Sequence, residues 1–292
     1  MLAIGGILFV FICVIAGFLM EKGKMGVLIQ PAEVLIIAGA ALGTLLAANP
    51  MHVLKQMTGR LAEVWKGTPF SRQRYIDTLK MLFDLLTKSR KEGAIAIESD
   101  IEEPKKSPIF SRHKAFLADH HALNFVCDTL RMAITGGVAP FDLDQMMELD
   151  MDVHQQSIHQ PVSALTTVAD SLPGLGIVAA VLGVVITMGA LGGPPELIGH
   201  KVAAALVGTF LGILLCYGMV GPLASNLSKC VEEEHCYYHV LRVVLIAYIK
   251  GTSPTMAVEM GRRAIPAHSR PTFSELEKAC RQKVVEANAT AK

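Results

Sequence analysis

Charged side chains are scarce in this sequence. Only 18% of its 292 residues are Asp, Glu, Lys or Arg, where a soluble domain carries about a quarter. An excess of either sign is missing too. Against 26 acidic residues stand 27 basic ones, a formal charge of +1, which excludes a nucleic-acid binder working by bulk electrostatics. The six cysteines follow no framework spacing, so a disulfide-stapled secreted fold is excluded as well. No run alternates like a strand, no segment repeats another, and no G-x-S-x-G nucleophile motif occurs. An enzyme is not expected.

What fills the space is apolar: 51% of the residues are hydrophobic and the mean hydropathy is +0.42. Residues 1–20, 34–54, 171–195 and 202–228 contain no charge at all. Each stretch matches the roughly 20 residues a helix needs to cross a bilayer. The first has neither the basic start nor the small-residue cleavage site of a leader, and reads as a retained span. The expectation is an all-α integral membrane protein with four transmembrane helices in two hairpins. The first hairpin occupies residues 1–50 (spans 1–20 and 32–50), and a helical cytoplasmic domain follows in 51–165. The second hairpin occupies 166–228 (spans 171–194 and 201–227), and a cytoplasmic tail, frayed from 283 onward, completes the chain at 229–292. Basic residues set the orientation: 14 lie in 52–161 and 10 in 229–292. Both termini are therefore expected inside.

Within the loop, Tyr75, Ile76, Leu79, Leu82, Phe83 and Leu86 recur at helical spacing, as do Phe116, Leu117, Leu123, Val126, Cys127 and Leu130. Residues 104–108 break the pattern, and a further helix is expected over 141–158. The charges between these helices are sorted. Lys88, Arg90 and Lys91 come first, then an apolar stretch, then Glu98, Asp100, Glu102 and Glu103. A solvated helix explains such a run; its bipolar order also suits steering onto a partner of complementary pattern.

Glu33 and Asp170 stand at span edges, and the middle of every span lacks a titratable group. A chain of this kind that moves ions has to borrow that group from a partner. Small residues crowd the third span (Gly174, Gly176, Ala179, Ala180, Gly183) and the fourth (Gly208, Gly212, Gly218, Gly221). They suit close helix approach, either inside the hairpin or between subunits. Pro173 and Pro222 lie at similar distances from a turn centred near Ile198, so two kinks at similar depth are expected. Two motifs are decoys. Gly174-Leu-Gly176-Ile-Val-Ala179 fits a dinucleotide fingerprint but has no strand before it and no water-exposed phosphate site. Cys230, His235, Cys236 and His239 contain no C-x-x-C pair and read as a solvated helix; no metal site is expected.

Several strings taken together resemble a known family. They are Gln30-Pro-Ala-Glu33 with Ile36-Ile-Ala-Gly-Ala40, Lys88-Ser-Arg90 with Glu98-x-Asp100-Ile-Glu102, and Asp170-Ser-Leu-Pro173-x-x-Gly176-Ile-Val-Ala-Ala180. Val207-Gly-Thr-Phe-Leu-Gly-Ile-Leu-Leu215 follows, with Tyr217-Gly218 and Pro222-Leu-Ala224, then Ala257-Val-Glu259 with Gly261-Arg262, and Arg270-Pro-x-Phe273-x-Glu275-Leu-Glu277. They resemble MotA, the flagellar motor stator family within the MotA/TolQ/ExbB proton channels. The resemblance implies a stator subunit of the inner membrane, driven by proton-motive force without a bound cofactor. It implies a MotB-like B subunit that supplies a proton-carrying aspartate, a FliG-like rotor switch protein, and a pentamer around two B subunits in membrane lipid. By the same resemblance Arg90 and Glu98 engage the rotor, Pro173 and Pro222 form the proton-coupling hinge, and Ala180 and Thr209 line the ion path. In sodium-driven relatives the position of Ala180 is typically a threonine; a methyl group cannot replace sodium's water oxygens, so protons are the expected ion. Thr187 departs from the pattern. The alternatives are an ExbB/TolQ-like energiser of outer-membrane transport, which usually has three spans, and a non-conducting membrane scaffold.

Overall fold

The computed structural model describes residues 2–189 and 192–289, and the regular elements among them are all helical. In chain order these are α1 (Leu2–Met20), α2 (Met25–Leu28), α3 (Pro31–Ala48), α4 (Met51–Lys66), α5 (Arg72–Glu92) and α6 (Glu98–Glu102). They continue with α7 (Lys114–Leu117), α8 (His120–Thr135), α9 (Pro140–Met188), α10 (Pro195–Leu215), α11 (Gly221–Ile249), α12 (Pro254–Ala264) and α13 (Phe273–Ala289). A π-helical stretch, Cys216–Val220, joins α10 to α11. Four helical segments are long and apolar enough to span a membrane: Leu2–Met20, Met25–Ala48, Pro140–Met188 and Pro195–Ile249. The helix expected over 141–158 does not stop there. It runs to Met188 through Pro161 and Pro173, each of which forfeits one backbone bond within a long ladder.

The chain divides into two compact units, Met1–Gly67 with Ile158–Val231 and Thr68–Ser157 with Glu232–Lys292. In the first, α4 packs with the apolar helices, although its charges suggest the cytoplasmic loop. Val53 and Met57 bury with Ala164, and Val64 buries with Ile158, Val162, Leu227 and Val231. His52 Nε2 meets Gln160 Oε1 at 3.2 Å on the same side. Charge reports which face is wet; it is silent about what the dry face touches.

In the second unit, loop and tail share a single core. Tyr75, Leu79, Leu82 and Leu86 of α5 pack among Phe125, Val126 and Leu130 of α8, Tyr237, Leu241 and Val244 of α11, and Val258 of α12. Each such side chain contributes roughly 1.5–3 kcal/mol by leaving water. The helices are capped from the sequence. Ser71, Asp119 and Ser253 accept the Arg74, Ala122 and Met256 amides, and Thr272 with Glu275 closes a reciprocal capping box. Gly261 is required where α12 meets α11, because a Cβ there would overlap Val244 Cγ2. The tail expected to fray from 283 is helical to Ala289, its start anchored by buried Leu276 and Cys280. Residues 290–292 of that expectation lie outside the described residues.

Candidate functional site

In the first unit α9 and α10 approach so closely that backbone meets backbone. A Cβ on Gly176 would lie 2.9 Å from the Gly208 carbonyl oxygen and 3.4 Å from Thr209 Cα, and one on Gly183 would lie 2.6 Å from Ala205 Cβ. A Cβ on Gly212 would lie 2.5 Å from the Leu172 carbonyl oxygen. Small residues at helical spacing permit this, as in membrane helices generally. Of the two uses left open for these glycines, packing within the hairpin accounts for these four. Gly174 faces open space and Gly218 receives Val10 of α1.

The contacts also fix the register. Ala180 lies against Gly208, since a Gly208 Cβ would sit 3.2 Å from the Ala180 amide nitrogen. Ala180 and Thr209, both half-buried, therefore belong to one crossing. The turn is centred nearer to residue 192 than to Ile198, because α10 begins at Pro195 and its polar first turns, with Glu196 and Lys201, are already helical. This overturns the expected proline depth. Pro173 falls level with residues near Leu214, while Pro222 lies about eight residues further along, or about 12 Å at 1.5 Å per residue. Pro222 follows the π-helical stretch at its second α-helical position. The Gly221 amide, one residue earlier, donates to the Cys216 carbonyl oxygen five residues back, so the ladder is already widened where Pro222 has no N–H to give. Thr187 is not level with Thr209; its hydroxyl proton is donated to the Gly183 carbonyl oxygen of its own helix at 2.8 Å.

Glu33 was placed by sequence at a span edge, and the structure moves it inward. It is 7% exposed, and its Oε2 comes within 2.5 Å of where a Gly208 Cβ would sit. The reason is that α3 begins part-way along its neighbours: Ile37 and Ala41 already pack with Ala169, Leu172 and Ala179 of α9 and Cys216. Spans judged by charge gaps alone are assumed to start at a common level, and these do not.

The second unit carries the sorted charges. Arg90 in the last turn of α5 and Glu98 at the start of α6 are both exposed, separated by Gly93 (φ +94°) and by Ile95, which is 75% exposed. Lys88 and Asp100 face the other way. They pair at 2.7 Å, and buried Asp100 also accepts from Ser107 Oγ at 2.5 Å. Glu102 and Glu103 are engaged by Arg131 and Lys106 at 2.6 and 2.9 Å. The bipolar run thus splits into a clamp that closes the α5–α6 corner and an outward pair, Arg90 and Glu98.

Residues 4–93 match the family described as Motility protein A N-terminal, and residues 118–239 match the MotA/TolQ/ExbB proton channel family. Motility protein A of Escherichia coli K12 is 38% identical over 96% of this chain and 95% of its own length. Chemotaxis protein LafT of Vibrio parahaemolyticus is 37% identical over 94% of this chain and 96% of its own. The fold is that of the Campylobacter jejuni MotAB structure (TM-score 0.76, 17% identity, 93% of this chain and 98% of that one). It is equally that of the Bacillus subtilis flagellar MotAB stator complex (TM-score 0.73, 22% identity, 91% and 96%). With relatives this similar along nearly the whole length, and both domains in order, the chain belongs to the motility protein A family of the MotA/TolQ/ExbB proton channels.

Proposed function

We propose that the chain is the A subunit of a proton-driven flagellar stator, surrounding a MotB-like companion whose aspartate carries the proton. The observation that carries this reading is the near-complete match to relatives named motility proteins, which spans both the glycine-packed hairpin and the exposed charged corner. In this reading the α9–α10 crossing forms the wall of the ion path, with Ala180 and Thr209 beside it. Pro173 and Pro222 supply yielding points at two depths rather than one. The ion is the proton, since Ala180 offers a methyl where a sodium site needs oxygen. Proton-motive force is the energy source, without a bound cofactor. The ring is a pentamer around two companions in the inner membrane, with both termini in the cytoplasm. Arg90 and Glu98 dock on the rotor's FliG-like switch protein, where charge order steers association.

Cells lacking their own stator genes test this. Expressing the chain with its companion restores swimming, and the Arg90→Glu, Glu98→Lys double variant assembles but swims at less than about half the speed. Failure of the wild-type pair to restore motility, with both chains present in the membrane, contradicts the assignment. Full speed in the double variant removes the docking role of the corner.

A further inference from the structure

Glu33 is more than nine-tenths buried, and its Oε2 has no hydrogen-bond partner among the described residues. It does not cap its own helix: no side chain caps α3, and the N-cap residue Gln30 turns its amide to the Val27 carbonyl oxygen at 3.1 Å. The carboxyl enters the crossing beside Gly208, and a side chain larger than hydrogen at 208 would strike it. The charged groups of the packed α9 and α10 stand away from it along their helix axes. Lys201 is seven residues before Gly208 on α10, about 10 Å along the axis, with Glu196 and His200 on those same early turns. Asp170 on α9 is ten residues before Ala180, about 15 Å away along the axis, and Lys24 precedes α2. A buried carboxylate oxygen without a partner is costly as an anion, and a proton bonded to it removes that cost. The amides of the first turn of α3 favour the anion. A group held between these two influences is able to exchange a proton.

We propose that Glu33 is a second proton-binding site of the channel, contributed by this chain at the level of Ala180 and Thr209. It rests on the conducting role proposed above and adds to it. A proton entering from the water at the α9–α10 turn bonds to Oε2 and gives the neutral acid. That O–H bond breaks as the proton passes to a carboxylate of the companion subunit, leaving Glu33 anionic and the acceptor neutral.

The test uses the complex of this chain with its companion, reconstituted in sodium-free vesicles with an imposed pH gradient. Glu33→Gln, which copies the neutral acid but cannot exchange a proton, is expected to retain the companion on purification and to lower proton flux at least about tenfold. Glu33→Asp keeps a titratable group and is expected to restore part of the flux with a shifted pH profile. Infrared difference spectra of the wild type between acid and alkaline medium should contain a carboxylic-acid carbonyl band that Glu33→Gln lacks. Wild-type flux in Glu33→Gln, or an unchanged band, overturns the proposal. If the wild-type complex itself passes no protons, the conducting role has failed, and the infrared band alone decides whether Glu33 takes up a proton.

Discussion

His121 and His154 lie face to face with ring centroids 3.7 Å apart, and His154 Nε2 meets Glu234 Oε1 at 2.9 Å. Burial, then the neighbouring His154, holds the His121 imidazole below its ordinary value; Asp150, Asp119 and Glu234 offset this only in part. Its Nε2 is buried with no partner among the described residues. The unfolded chain therefore binds a proton that the folded one refuses. This contribution to stability is complete above about pH 6.5 and is lost as the pH falls from there towards the lowered folded value. His121→Phe keeps the ring contacts and removes the titration. Thermal unfolding of the full chain in detergent across about pH 5–8 should show a flatter acid limb for the variant. An identical limb would place the acid sensitivity elsewhere. Sequence alone does not separate these two histidines from surface ones, since a histidine's burial depends on which helices meet around it. The sorted run that holds Arg90 and Glu98 was visible because charge order is written along the chain, although only the family resemblance singled out these two within it. That Lys88 and Asp100 turn inward was not visible, because only the packed α5–α6 corner separates them from their neighbours.

At the scale of elements, the spans were legible as gaps in charge, and the helical repeats of α5 and α8 as periodic apolar positions. Register was not. The expected turn near Ile198 assumed that a helix begins where charges end, whereas Glu196 and Lys201 occupy helical turns of α10. Once Gly183 meets Ala205 and Gly212 meets Leu172, the depth of every residue in the hairpin follows. The π-helical stretch was equally hidden: nothing local announces it, and it lies just before Pro222 and holds Gly218, which meets Val10 of α1. Gly212→Val should destabilise the hairpin by about 1–3 kcal/mol, because both nearest obstacles are backbone and cannot rotate away. Gly174→Ala, on the same hairpin but facing open space, should leave the melting temperature unchanged. Equal behaviour of the two variants would mean that the close approach does not hold the hairpin.

For the whole molecule, sequence separated wet from dry, and the structure sorts the same residues by what they pack against. The tail joins the loop in one core around Tyr75, Tyr237 and Tyr238, while α4 joins the apolar helices. The fold class was thus readable from composition, but the division into units depends on contacts between residues far apart in the chain. The proposed function also belongs to this scale, in which the chain builds the wall of a proton path that opens only with a companion. The direct test is proton uptake into sodium-free vesicles bearing the purified chain, with and without the companion subunit. Uptake that appears only with the companion is the predicted result, and equal uptake by the chain alone would contradict the account.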